Sequence, residues 1–416
     1  MINKIKKKLK SKLVKNSIWL TILQLINTVV PMLTIPYITR ILGPSQYGVF
    51  SIALNWVLYF QVLVEFGFGL SGARKAAIIS DSNELQKTFN NIISSRIILL
   101  AISFLLLNVV ALISSFNKET YNCMLLLFIM IIGVTFQLTW LFQGKQDMKF
   151  ITLINSISRI ISTILIFIFV REKSDIYLYC ILYSLTLLIS SVISLIIAYK
   201  KYNLKFKFSS VKNIRLEIND AKYLFASSAM TKIFSGFGIT ILGYYTTTEI
   251  TGIYSAIYKI PYVLTMFFSP ISQALYPYIS QKFEIGMKEG IDTVKHIAPY
   301  VVMLFLIPSV IIVVLNNCII NFLFGADYSK YSIVIVPLII QFIIAMINNF
   351  LGIQILVASG KQKDYSRALI FGGFSTFVLN IIMGKMWNIY GVSFAVMIGE
   401  FLLMICLILS IKKGEN

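Results

Sequence analysis

Residues 223–245, YLFASSAMTKIFSGFGITILGYY, and residues 250–279, ITGIYSAIYKIPYVLTMFFSPISQALYPYI, are two apolar runs separated by the polar turn Thr246, Thr247, Thr248 and Glu249. A helix needs about 20 apolar residues to cross a bilayer, so each run is long enough to span. Each also carries one lysine well inside it, Lys232 and Lys259. A charge at that depth costs about 2.5–3.5 kcal/mol on insertion scales and is kept where it faces a partner or a wet cavity. The second run contains Pro261, Pro270 and Pro277, which are expected to kink or locally open a helix. Interior cations on breakable helices are the pattern of moving machinery rather than of passive wall.

The rest of the chain has the same character. It is 57% hydrophobic and 13% charged over 416 residues, a balance that excludes a soluble globular domain and indicates a polytopic membrane protein. The net charge of +20 does not point to nucleic acid, because the basic residues lie mainly between apolar runs. Cys123, Cys180, Cys318 and Cys406 stand singly in or beside apolar segments, without metal spacing, and read as inert buried thiols. The single histidine, His296, cannot hold a metal by itself. A phosphate-cradling glycine loop with its lysine is absent from the sequence, which argues against ATP hydrolysis, and no hydrolase or transferase constellation is present.

Apolar runs recur at 17–39, 48–70, 89–114, 121–142, 150–170 and 176–198, and again at 223–245, 250–279, 296–316, 331–358, 365–385 and 389–411. The expected architecture is all-α, with twelve transmembrane helices in two six-helix lobes around a central cavity. Residues 1–16 form a basic start with seven lysines, read as an interfacial helix leading into a retained first span. Residues 17–198 form an N-lobe, 199–222 a basic cytoplasmic connector, 223–411 a C-lobe, and 412–416 a tail. The N-terminus, the tail and the loops after even-numbered spans hold more than twenty Lys and Arg, against five in the loops after odd-numbered spans. Both termini are therefore expected in the cytoplasm.

Two motifs repeat in register between the halves. QYGVFS at 46–51 matches ITGIYS at 250–255, and FQGKQ at 142–146 matches ASGKQ at 358–362. Six spans per half give both halves the same orientation, so the repeat is parallel, as in transporters that bind cargo between their halves.

Six ionisable residues fall inside the spans: Glu65, Arg96, Arg159, Lys232, Lys259 and Glu400. Arg96 lies about two turns from the cytoplasmic end, where its side chain either snorkels to headgroups or serves a site. Arg159, Lys232 and Lys259 lie deeper and are candidates for holding an anion. Glu400 either neutralises one of these cations or relays a proton or Na⁺; Glu65 either shares that role or pairs with Arg74. Gln24, Asn27, Thr28 and Thr34 form a polar stripe on span one, serving helix–helix hydrogen bonds or a hydrated cavity. Four interior cations against two carboxylates suit an anionic cargo such as a phosphate or pyrophosphate, which arginine grips bidentately and lysine as a point charge.

The motifs also carry a resemblance. Residues 36–44, PYITRILGP, with Tyr47 and Gly48, then 65–71, EFGFGLS, with Arg74, resemble the opening and second-span signatures of Wzx-type polysaccharide flippases of the MOP superfamily. Residues 241–243, 251–256, Lys259–Ile260, 269–271 and 276–277 resemble the start of their second half. The resemblance implies a flippase, not an enzyme, that moves undecaprenyl-pyrophosphate-linked oligosaccharide repeat units to the outer leaflet for O-antigen, lipopolysaccharide or capsule synthesis. It implies alternating access coupled to an ion gradient, H⁺ or Na⁺, or to membrane potential, without a cofactor. The implied setting is a bacterial inner membrane, with membrane lipids and a polysaccharide polymerase and chain-length regulator as partners. It also makes Arg40 a fourth cavity cation beside Arg159, Lys232 and Lys259. Lipid II or teichuronic-acid flippases, and multidrug/cation antiporters of the same superfamily, are the alternatives; the antiporter would favour an acidic pocket.

Overall fold

A computed structural model describes residues 2–114 and 116–413, with side chains described for 15–114 and 116–412. The described residues are helical apart from short connections, with no strands among them. They divide by their contacts into two compact units: 1–34 with 52–233, and 35–51 with 234–416. The side chains of the basic N-terminal segment 2–14 and most of the 412–416 tail lie outside the described residues. Nine helices among the described residues are long and apolar enough to cross a membrane.

The first of these helices, α1 (Ile2–Glu65), runs through both of the first two apolar stretches. It is broken only at Gly43, whose φ of 69° lies in the left-handed region that glycine enters without penalty. The segment 35–51 around this break belongs to the second unit, and the flanking parts belong to the first.

In the first unit, α1 gives way at Phe66 (φ 44°) and Gly67 (φ 74°) to α2 (Phe68–Ile78). Then come α3 (Ser82–Ile113), α4 (Lys118–Phe136), α5 (Thr139–Gly144), α6 (Met148–Phe169) and α7 (Ile176–Tyr202). Asp81 caps α3 by accepting from the N–H groups of Asn83 and Glu84, and Asn117 caps α4 by accepting from Thr120 at 2.8 Å. Asn203, at φ 53°, ends α7, and a short non-helical connector leads to α8 (Val211–Tyr245). The core of this unit is built from α4, α6 and α7, with Leu127, Ile131, Ile154 and Cys180 buried among them. Lys75 on α2 bonds Glu217 at 2.8 Å and Asp220 at 3.1 Å on α8, a tie that holds the buried Glu217 carboxylate paired.

In the second unit, Thr247 caps α9 (Thr248–Ile257), which ends at Tyr258, and α10 (Lys259–Ile285) follows. The chain therefore breaks just before Pro261. Pro270 and Pro277 lie inside α10. Next come α11 (Met287–Val314), α12 (Asn316–Phe324), α13 (Ala326–Ser329) and α14 (Ile335–Asn349). A π-helix, Phe350–Val357, continues α14, and α15 (Gln362–Lys413) contains a break at Asn388 (φ 51°). Its core is aromatic: Phe268 packs edge-on against Phe305, and Phe305 against Phe342. Both halves depart from regular α-helix ahead of the repeated Gly-Lys-Gln turn, at Gln137–Leu138 and in the π-helix. Cys123 and Cys180 are buried as expected, but Cys318 is exposed.

Candidate functional site

The first unit gathers most of the charged residues singled out above. Glu65 closes α1, accepts a hydrogen bond from Gln61 Nε2 at 2.8 Å, and lies within electrostatic reach of both Arg96 and Lys232. It forms no ion pair with Arg74 among the described residues, contrary to one of the two readings of its sequence neighbourhood. The reason is the break at Phe66 and Gly67, which ends the helix before Arg74 can follow Glu65 on one face.

Arg96 is 4% exposed and does not snorkel. Its Nη1 donates to the carbonyls of Val134 at 3.1 Å and Gln137 at 2.9 Å, at the C-terminal end of α4. A guanidinium there satisfies orphan carbonyls and faces the negative end of the helix dipole. The same Gln137 sends its side-chain amide to Asn155 Oδ1 at 3.0 Å and Ser190 Oγ at 2.8 Å. One turn further along α6, Arg159 donates to the Asn27 carbonyl of α1 at 3.3 Å. A polar track thus runs from Glu65 and Lys232 through Arg96, Gln137 and Asn155 to Arg159 and Asn27. Of the span-one stripe, Thr28 and Thr34 turn back onto their own helix, bonding the carbonyls of Gln24 and Val30.

In the second unit Arg40 donates to the Phe322 carbonyl at the end of α12, another helix terminus. Lys259 lies over the Tyr262 ring, 5.9 Å from its centroid. Glu400 on α15 accepts from Asn348 Nδ2 at 2.8 Å and Gln341 Nε2 at 3.4 Å, both on α14. Its neighbours are these amides and the phenols of Tyr258 and Tyr365. Nearby, Gln354 of the π-helix donates to the Ser272 carbonyl at 2.9 Å, and Ser272 donates to Asn349 at 2.6 Å. Lys232 and Lys259 fall in different units. An open groove of about 570 Å³ beside Asn388, lined by Met383, Trp387, Tyr390 and Phe394, holds none of the charged candidates.

Gln137, Asn155 and Ser190 were not singled out in the sequence. Their only signal there is amide and hydroxyl side chains within apolar runs, which are commonplace between membrane helices. No group of His, Cys, Asp and Glu able to hold a metal occurs among the described residues.

A family model described as polysaccharide biosynthesis protein matches residues 13–283. The chain belongs to this family. Across 405 residues it is 27% identical to a protein of Escherichia coli K12 named "Putative O-antigen transporter", covering 96% of this chain and 97% of that one. Among solved structures it superposes with the lipid II flippase MurJ, in an inward closed conformation, at a TM-score of 0.73 and 16% identity, covering 96% of this chain and 87% of that one. An inward-facing multidrug resistance MATE transporter of the MOP superfamily follows at a TM-score of 0.69 and 14% identity, covering 96% and 97%. At these identities the structural likeness shows the fold, which is that of polytopic membrane transporters. The family's relatives are transporters rather than enzymes.

Proposed function

We propose that this chain is a flippase that carries undecaprenyl-pyrophosphate-linked oligosaccharide repeat units from the cytoplasmic to the outer leaflet of a bacterial inner membrane. The product serves O-antigen or capsular polysaccharide synthesis, upstream of a polymerase and chain-length regulator. The chain crosses the membrane twelve times with both termini in the cytoplasm, and moves cargo by alternating access coupled to an ion gradient or the membrane potential.

The observation that carries this reading is the pair of half-buried cations, Lys232 and Arg159, on span-capable helices of a chain related along nearly its whole length to a named O-antigen transporter. A pyrophosphate with a sugar chain needs point charges for the phosphates and amides for the hydroxyls, and the polar track of the first unit offers both. Lys232, Arg159 and Lys259 are assigned to the anionic head. Arg96 and Arg40, bonded to helix ends, are positioning residues. Glu400 is the coupling carboxyl, because it is held by the Asn348 and Gln341 amides and forms no ion pair among the described residues. Glu65 is the second carboxylate in play, beside Lys232.

The test is complementation of a strain lacking its own flippase. Lys232→Ala combined with Arg159→Ala should leave well-expressed protein that fails to restore surface polysaccharide, with lipid-linked repeat units accumulating on the cytoplasmic side. Full restoration by the double variant would remove both residues from the cargo path.

A further inference from the structure

The connector between α7 and α8 is fastened to the protein by a ladder. Gln86, Asn90 and Ser94 stand one turn apart on α3, and each takes a backbone N–H from the connector. Lys205 N–H donates to Gln86 Oε1 at 2.9 Å, Lys207 N–H to Asn90 Oδ1 at 3.0 Å, and Ser209 N–H to Ser94 Oγ at 2.9 Å. Gln86 Nε2 returns a bond to the Lys205 carbonyl at 2.6 Å, and Ser209 Oγ donates to Asn91 at 2.7 Å. The match is geometric: four helical residues rise about 6 Å, and two extended residues cover about 6.6 Å. One face of a helix therefore acts as a strand edge for every second residue of the connector.

A strap built this way keeps its backbone satisfied and turns its side chains outward. Phe206 and Phe208 are 47% and 54% exposed, with their rings 6.3 Å apart, and Val211 is 78% exposed. Lys200, Lys205, Lys207 and Lys212 are exposed and form no ion pair among the described residues. Large apolar side chains held in the open cost free energy in water, and a mobile loop would fold them away; here the ladder prevents that. The strip lies between two span-capable helices, directly after the first ends at Tyr202 and just before the second begins at Val211. Aromatic rings with flanking lysines are suited to the boundary between headgroups and acyl chains.

We infer that the strip Lys205, Phe206, Lys207 and Phe208, with Lys200 and Lys212, is an interfacial anchor that binds anionic phospholipid of the leaflet bordering the connector. The phenylalanines enter the acyl boundary and the lysines pair with lipid phosphates. The occupant is a bilayer lipid rather than a protein because the charge is uniformly positive and the connector joins two spanning helices directly. The inference is independent of the cargo and holds for any transported molecule.

The experiment uses the full-length protein in nanodiscs of phosphatidylcholine with and without phosphatidylglycerol. The fluorescence of the Phe206→Trp variant should be quenched by brominated phosphatidylglycerol beyond the background of the native tryptophans. Phosphatidylglycerol co-purifying with the protein should fall by roughly an order of magnitude in Lys205→Gln/Lys207→Gln, since each basic residue near an anionic surface contributes severalfold. The Lys205→Arg/Lys207→Arg variant should keep it. Unchanged lipid retention in the glutamine variant, or emission from the introduced tryptophan that bromine does not reach, would overturn the inference and leave the strip facing water or a protein.

Discussion

Gly48 and Gly252 face each other in the second unit at a crossing too close for any other residue. A Cβ on Gly48 would lie 1.8 Å from the Thr248 carbonyl oxygen, and one on Gly252 would lie 2.0 Å from that of Pro44. The two glycines are the matched positions of the repeated motif, so the repeat packs against itself, and Ser45 and Thr248 add a hydroxyl contact at 3.1 Å. Both obstructing atoms are backbone, which cannot rotate away as a side chain would. Gly48→Ala or Gly252→Ala should each cost about 3 kcal/mol or more, the upper range for overpacking. The check is the fraction of monodisperse protein and its melting temperature in detergent. Wild-type behaviour in both variants would show that the helices separate freely.

Arg96 bears on stability. Removing its side chain leaves the carbonyls of Val134 and Gln137 without their donor in a buried place, a loss of about 1–3 kcal/mol for each group left unsatisfied. Arg96→Ala should therefore lower the melting temperature. Arg96→Lys keeps the charge but not the planar fork and should recover only part of the loss. Equal melting temperatures for wild type and Arg96→Ala would mean that the α4 end is satisfied by other groups.

These two cases show what could be read from residues alone. That the chain carries many span-capable helices was legible because bilayer thickness imposes about 20 apolar residues on each, but their bounds were not, since the first two runs form one helix and 250–279 is divided at Tyr258. The Gly48 and Gly252 motifs were legible as a repeat but not as a contact, since matching sequence says nothing about adjacency. The helix-capping role of Arg96 was hidden because its acceptors lie some 40 residues away and depend on α4 ending at Gln137. Of the three prolines expected to kink or open a helix, Pro261 adjoins a break, and Pro270 and Pro277 lie within α10, a placement that membrane helices tolerate. Depth in a run singled out Lys232 and Arg159, which are half-buried, yet their neighbours Glu65 and Asn27 emerged only with the fold.

The ladder that holds the connector can be tested apart from lipid. Gln86→Leu combined with Asn90→Leu removes the side-chain acceptors for Lys205 and Lys207 while retaining similar volume. Limited trypsin digestion should then cleave after Lys205 or Lys207 at least tenfold faster than in wild type, with the rest of the chain equally protected. Unaltered cleavage would mean that other contacts hold the segment.

Glu400 should report on coupling. Glu400→Gln keeps one acceptor oxygen, enough for the 2.8 Å bond from Asn348 but not also for the longer 3.4 Å bond that Gln341 makes to the other oxygen, and it carries no charge. In proteoliposomes loaded with lipid-linked oligosaccharide, translocation by this variant should lose its dependence on an imposed proton or Na⁺ gradient while its melting temperature changes little. A variant that still responds to the gradient as wild type does would move coupling elsewhere, with Glu65 the next residue to examine.

Lys232 can act on cargo or merely neutralise Glu65, and a double variant separates the two. If Lys232 serves only as the counter-charge of Glu65, Lys232→Ala strands a carboxylate, and adding Glu65→Gln removes the stranded charge and restores transport. If Lys232 grips the anionic head of the cargo, the neutral pair has lost the grip as well, and transport stays low. The expected result is that Lys232→Ala lowers surface polysaccharide by about tenfold or more, the scale of one lost charge-assisted hydrogen bond. The double variant should then recover less than half of the wild-type level. Surface polysaccharide measured against membrane protein content decides the matter, and full recovery in the double variant would reassign Lys232 to holding Glu65 in place.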